Sequence, residues 1–245
     1  MEHLENLSMQ ATPLKANSSN KRHIQSIIAG LVLLLVFAGF AQTYYLKSLF
    51  GGDALSALLH LHGLVMTLWI LLFLLQVRLI ATRRVALHRR VGKWGMGLGL
   101  LLLVIGIATA VDSARRAQAA PAALSFLATS LGGLFMFIAL IALGIVYRRQ
   151  RDFHSRLMLL ANLSILAPAI ARLPLEVIER GGLTLTFILK DACVLAFVIY
   201  DVASARRLHP VTAWASLLII ASYPLTRAIG ASSAWIALAK WLVNL

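Results

Sequence analysis

HLHGLVMTLWILLFLLQ, residues 60–76, contains no Asp, Glu, Lys or Arg and sits inside an apolar run extending from about 54 to 80. A run of that length is enough to cross the hydrocarbon core of a bilayer as a helix, which takes about 20 residues. The pattern recurs at about 24–46, 90–112, 121–147, 154–173, 183–204 and 211–228. A backbone in lipid must satisfy its polar groups within its own segment. The expected fold class is therefore all-α, a polytopic transmembrane helical bundle of about seven spans. Its connections are short, so residues 24–245 should form a single transmembrane helical domain after a polar N-terminal tail, 1–23.

Composition agrees with this reading. Of 245 residues 60% are hydrophobic and 13% charged, against roughly one-quarter charged in a soluble domain. The net charge of +14 could suggest nucleic acid, but the basic residues lie in short clusters between apolar runs and no soluble basic domain is present, so nucleic acid is not an expected partner. With seven spans, 15 of the 23 basic residues fall on one side, among them Arg83, Arg84, Arg89, Arg90, Arg148 and Arg149. The positive-inside rule then places the N-terminus in the cytoplasm and the C-terminus outside, and an even span number would spoil the separation. Residues 1–20 lack an apolar core and do not read as a cleavable signal peptide. The last stretch, SSAWIALAKWLVNL, is short for an eighth span, and Trp235, Lys240 and Trp241 suit a helix lying in the interface. Cys193, the one cysteine, excludes an internal disulfide and a thiolate cluster.

Few residues could carry chemistry. His60 and His62 project about 200° apart on a helix, so they cannot chelate one ion together. His62 shares a face with Met66, Trp69, Phe73 and Gln76, and is the expected inward histidine, serving as an interhelical link or as a ligand. His88 heads a line through Gly92, Gly95, Gly99 and Gly106. Glycine at successive turns bares one face, for a second helix or for a flat ligand hung from His88. The fifth span carries His154 at one end and Arg172 about 27 Å away at 1.5 Å per residue, with Pro168 expected to kink it. Arg172 could pair with Glu176 four residues on, or clamp a carboxylate, phosphate or haem propionate. His62, Asp112, Arg172, Glu176, Lys190 and Asp191 would form an outer polar cluster if their helices pack together, with Lys190 snorkelling to the interface as the other outcome. His88 and His154 lie at the same end of the bundle. Neutral imidazoles with no carboxylate or thiol beside them suit axial ligation of a b-type haem.

The order of motifs, HLHGLVMTLW, QVRLIATRRVALHRRVGKWG, RDFHSRLMLLANLSILAPAIARLP and RRLHPVTAWASLLIIASYPLTR, resembles a group of uncharacterised bacterial integral membrane proteins with LHRxxG and HxRxM helix openings. These are distantly similar to the di-haem b-type membrane cytochromes. The resemblance covers about residues 55–228 and implies a multi-pass protein of the bacterial inner membrane, lipid and redox or membrane-complex partners, and His62, His88 and His154 as haem ligands. Two bis-histidine haems would need four paired histidines, and the fourth span has none, which leaves His88 with His154 for one haem b. Three functions compete. A haem or electron-transfer protein predicts a Soret band lost in His88→Ala or His154→Ala. A solute or proton transporter predicts a water-filled path through His62, Arg172, Lys190 and Asp191. An assembly or scaffold subunit predicts neither. No catalytic triad, phosphate loop or HExxH motif is present.

Overall fold

The structure, a computed structural model, describes residues 14–51 and 53–244; residues 1–13 of the expected tail lie outside them. Among the described residues all regular structure is helical. Helix α1 spans Leu14–Phe40 and runs on through a wider π turn, Ala41–Tyr45. A short α2, Lys47–Phe50, leads to α3, Ala57–Ala81, and α4, Val85–Arg116. Then come α5, Pro121–Val146, α6, Arg151–Ser164, and the single turn α7, Ala167–Ile170. Helix α8, Glu176–Ala205, α9, Pro210–Gly230, and α10, Ser233–Asn244, complete the chain.

Local chemistry sets the boundaries. The Ser56 hydroxyl accepts from the Leu59 N–H and caps α3. Pro121 and Pro210 stand in the first turns of α5 and α9, where a missing N–H costs nothing. The expected kink at Pro168 is realised as a full break between α6 and α7, because Pro168 cannot donate to the carbonyl four residues back, that of Ser164. The glycine pair after Glu179 and Arg180, read as a turn, instead lies inside α8. Gly182 takes φ +56°, a conformation that a side chain would strain, and kinks the helix there.

Six helical segments are long and apolar enough to cross a membrane: Ile24–Tyr45, Ala57–Ala81, Val85–Arg116, Pro121–Val146, Arg151–Ile170 and Glu176–Ala205. Helix α9, the expected seventh span, has 21 residues but carries Thr212, Ser216, Ser222, Thr226 and Arg227 and is not among them. It packs against α5, α6 and α8. The main core joins Trp69, Ile70 and Phe73 of α3 to Phe137, Leu140 and Ile141 of α5, Leu157 and Leu160 of α6, Val194 of α8 and Ile219 of α9. Many large apolar side chains point outward instead, Leu64, Leu71, Leu100, Ile199 and Leu217 among them, as a lipid-facing surface requires. Helix α10, 12 residues long, lies against α4 and α5. Trp235 donates its indole N–H to the Leu124 carbonyl at 2.8 Å, and the Arg115 guanidinium donates to the Val243 carbonyl at 2.6 Å.

Candidate functional site

The end of the bundle where α3 stops and α4 starts holds the most suggestive arrangement. Helix α4 begins at Val85 and places His88 one turn in, while α6 begins at Arg151 and places His154 one turn in. The two imidazoles come together with ring centres 6.1 Å apart and planes at 81°. Both line a cavity of about 160 Å³, closed mostly by apolar groups: Trp69, Leu72, Phe73, Val77 and Ile80 of α3, Met96 of α4, Ile141 and Ile145 of α5, and Met158 and Leu159 of α6. Gln25, Gln76 and Ser155 supply its other polar groups.

Each imidazole is tied by its Nδ1. His154 Nδ1 lies 2.8 Å from the carbonyl oxygen of Gly144. That carbonyl is at the C-terminal end of α5, where the next available N–H, that of Arg148, turns to Ile145 instead, so the histidine satisfies one of the helix's orphan acceptors. A carbonyl only accepts, so His154 carries its proton on Nδ1 and presents the Nε2 lone pair. His88 Nδ1 meets the side-chain amide of Gln76, which also contacts the His88 carbonyl at 3.2 Å and the Gly92 N–H at 2.9 Å.

The glycine line does more than bare a groove. Helix α3 lays one side chain over each of its first three glycines: Gln76 at Gly92, Leu72 at Gly95 and Trp69 at Gly99. Gly92 and Gly95 still line the cavity, whereas Gly99 is buried beneath the indole. Gly106 sits farther along, against Leu134 of α5. Trp69 in turn donates its indole N–H to Asn162 Oδ1 at 3.1 Å, linking α3 to a wholly buried amide on α6.

His62 and Arg172 do not join this cavity. They stand near one another at the opposite end, with 14 residues of α3, about 21 Å of helix, between His62 and Gln76. His62 is half-buried with Nδ1 enclosed and unbonded, and His60 is exposed. Arg172 donates to the Pro168 carbonyl at 2.9 Å and lies over the Phe40 ring, 4.9 Å from its centre. The expected outer polar cluster is corrected by the pairing actually found. Asp112 pairs with Arg116 at 2.9 Å, Glu176 pairs with Arg180, and Asp191 pairs with Lys190 at 2.9 Å. Partners on the same helix, one turn away for Asp112 and Glu176 and adjacent for Asp191, need no helix to move, and they prevail over partners across the bundle. Lys190 does not snorkel: at 1% exposure it turns inward and donates to the Ile219 carbonyl of α9 at 3.3 Å.

Sequence reasoning missed a buried ionic clamp near His154. Arg156 donates Nε and an Nη to both carboxylate oxygens of Asp201, with distances of 2.8–3.1 Å, and the Thr212 hydroxyl donates to the same carboxylate at 2.6 Å. This joins α6, α8 and α9. The signal was an acidic residue within the sixth span, which demands a buried partner.

Among the described residues no group of three or more metal-ligating side chains gathers. Comparison of the chain with protein-family models, with curated proteins and with solved structures finds no match.

Proposed function

We propose that this chain is a seven-span protein of the bacterial inner membrane, cytoplasmic at its N-terminus, that holds one b-type haem at its cytoplasmic end and serves electron transfer or haem handling. The observation that carries the reading is the pair of imidazoles meeting across an apolar cavity. The ring centres are 6.1 Å apart, and each Nδ1 is taken by a protein partner, which leaves the Nε2 atoms as the nitrogens that would hold the group. The donor set suits haem iron, since among the described residues no carboxylate or thiol lines the cavity. Its free volume is that of a single aromatic ring, so the walls, the adaptable Met96 and Met158 among them, would have to move apart to admit a macrocycle.

His88 and His154 would hold the group, with Gly92 and Gly95 lining one wall of the cavity. The chemistry that haem supplies when bound is one-electron exchange at its iron. The protein's own part is to orient the imidazoles through their Nδ1 atoms and to keep water from the apolar wall. At 21 residues α9 reaches about 31 Å, enough for the seventh crossing that leaves α10 outside, and the shared motif order supports kinship with the bacterial membrane proteins that it resembles. A transport path through Lys190 and Asp191 has less support, because those groups neutralise one another locally. The test is the absorption spectrum of protein purified from haem-supplemented cells, before and after dithionite. A Soret band that sharpens on reduction and is lost in the His88→Ala/His154→Ala double variant is the expected result; a colourless protein refutes the reading.

A further inference from the structure

The two histidines are tied in opposite senses. Gly144 offers only a carbonyl, so it fixes the His154 proton on Nδ1 and leaves Nε2 as a bare lone pair. At His88 the partner is an amide, which can face either way, and two further contacts decide how it lies. The Gly92 N–H can only donate, so it takes the Gln76 oxygen at 2.9 Å; the His88 carbonyl can only accept, so it takes the Gln76 nitrogen at 3.2 Å. The nitrogen that bonds the carbonyl also faces His88 Nδ1. Gln76 therefore donates to Nδ1, and His88 keeps its own proton on Nε2.

We propose that the pair is asymmetric by construction, with His154 the standing ligand and His88 a conditional one that Gln76 holds in the non-ligating tautomer. This rests on the haem reading for its purpose but not for its geometry. A histidine binds a metal through a ring nitrogen without a proton, and His154 already presents one. For His88 to bind through Nε2, its proton must move to Nδ1 and the Gln76 amide must reverse. Reversal sets the Gln76 oxygen against the His88 carbonyl and its nitrogen against the Gly92 N–H, so both backbone contacts turn from bonds into like-facing pairs. Gln76 is thus a positioning residue that opposes metal binding through His88 Nε2. His154 would then be the residue that holds the group first and most firmly, and His88 the one whose hold depends on how Gln76 lies.

Two measurements test this. In metal-free protein with ¹⁵N-labelled histidine, ring correlations assigned by single His→Asn variants should show His88 protonated at Nε2 and His154 at Nδ1. Gln76→Leu should release His88 to a mixture of tautomers and leave His154 unchanged. His88 found protonated at Nδ1, or indifferent to Gln76→Leu, overturns the proposal. In the second measurement haemin is titrated into each variant, with helical content checked by circular dichroism. His154→Ala should weaken binding at least tenfold. His88→Ala should retain binding within about threefold. Equal loss of haemin in the two variants also overturns it. Should the wild-type protein bind no haemin, the function proposed above fails, and the tautomer measurement alone decides the asymmetry.

Discussion

Asp201→Asn is the most informative single change in the bundle. The carboxylate and the Arg156 guanidinium are 8% and 9% exposed, and three donor–acceptor contacts of 2.8–3.1 Å join them. Asparagine keeps the shape and removes the charge, so Arg156 remains a buried cation. Its remaining acceptors are the neutral Asn amide oxygen, the Asp152 carbonyl at 3.0 Å and the Asp152 carboxylate, 3.5 Å away on a side chain that is 81% exposed. Removing one partner of a buried pair costs about 3–5 kcal/mol, which corresponds to a fall in Tm of roughly 6–20 °C for a protein of this size. Replacing both partners with apolar groups, as in Arg156→Met/Asp201→Leu, strands no charge and should recover most of the loss. Thr212 then turns its hydroxyl to a backbone carbonyl. Thermal unfolding in detergent, run on the single and double variants as a cycle, measures both quantities. A cost below about 1 kcal/mol for Asp201→Asn, or a double variant as unstable as the sum of the singles, would show that the clamp does not bear on stability as argued.

Gly39→Ala should destabilise by about 1–3 kcal/mol, because a Cβ there runs into the backbone of Ala169, whereas Gly30→Ala meets nothing and should be neutral or slightly stabilising; melting of the two variants side by side checks this. Trp69→Phe strips Asn162 Oδ1 of its indole donor and should cost about 1–3 kcal/mol, read from the same melts. His209 lies between α8 and α9 and caps α9 by accepting the Val211 N–H on Nδ1 at 3.2 Å. Burial first, then the nearby Arg156 charge, holds its pKa below the usual histidine value, with Asp201 and Asp152 pulling the other way. A depressed folded pKa means that the unfolded chain binds the proton first. Stability from this group is therefore full above about pH 6.5 and declines as pH falls through the lower folded value. His209→Asn, a cap that does not titrate, should remove that part of the acid sensitivity in melts compared at pH 7.5 and 5.5.

The fold was legible because lipid is a strict solvent: runs near 20 apolar residues mark helices wherever they fall. Boundaries were less so. The ERGG stretch has the composition of a turn, yet neighbouring residues can stay helical around one glycine at positive φ, and the helix starts at Glu176. The meeting of His88 and His154 follows from their shared position, one turn into helices that start on the same side, and periodicity reveals that much. What it could not reveal is which partner each Nδ1 would find. Gln76 stood out only as the last member of a stripe with His62, and its bond to His88 depends on the register between α3 and α4. The outer cluster gives way for a related reason: Arg116 and Arg180 lie one turn from Asp112 and Glu176 on the same helices, and those short-range pairs form whatever the register between helices.

The polar links inside the bundle are not scattered evenly. His154 ties α6 to α5, Asn162 ties it to α3, and Arg156 ties it to α8 and, through the Asp201 carboxylate, to α9. The span containing α6, Arg151–Ile170, is also the least apolar of the six and the most enclosed. These facts have one cause. A helix bearing His154, Arg156 and Asn162 is poorly suited to face hydrocarbon and is stable only when its neighbours supply acceptors and donors for those groups. Helix α6 must then take its place after, or together with, the helices that surround it, and its register is set by bonds on three sides rather than by apolar packing alone. A histidine carried on such a helix is held more rigidly than His88, whose helix exposes Trp94, Leu100 and Val104 outward. The same asymmetry that Gln76 writes into the tautomers is thus present in the scaffold, with one imidazole on the most constrained helix and the other on a lipid-facing one.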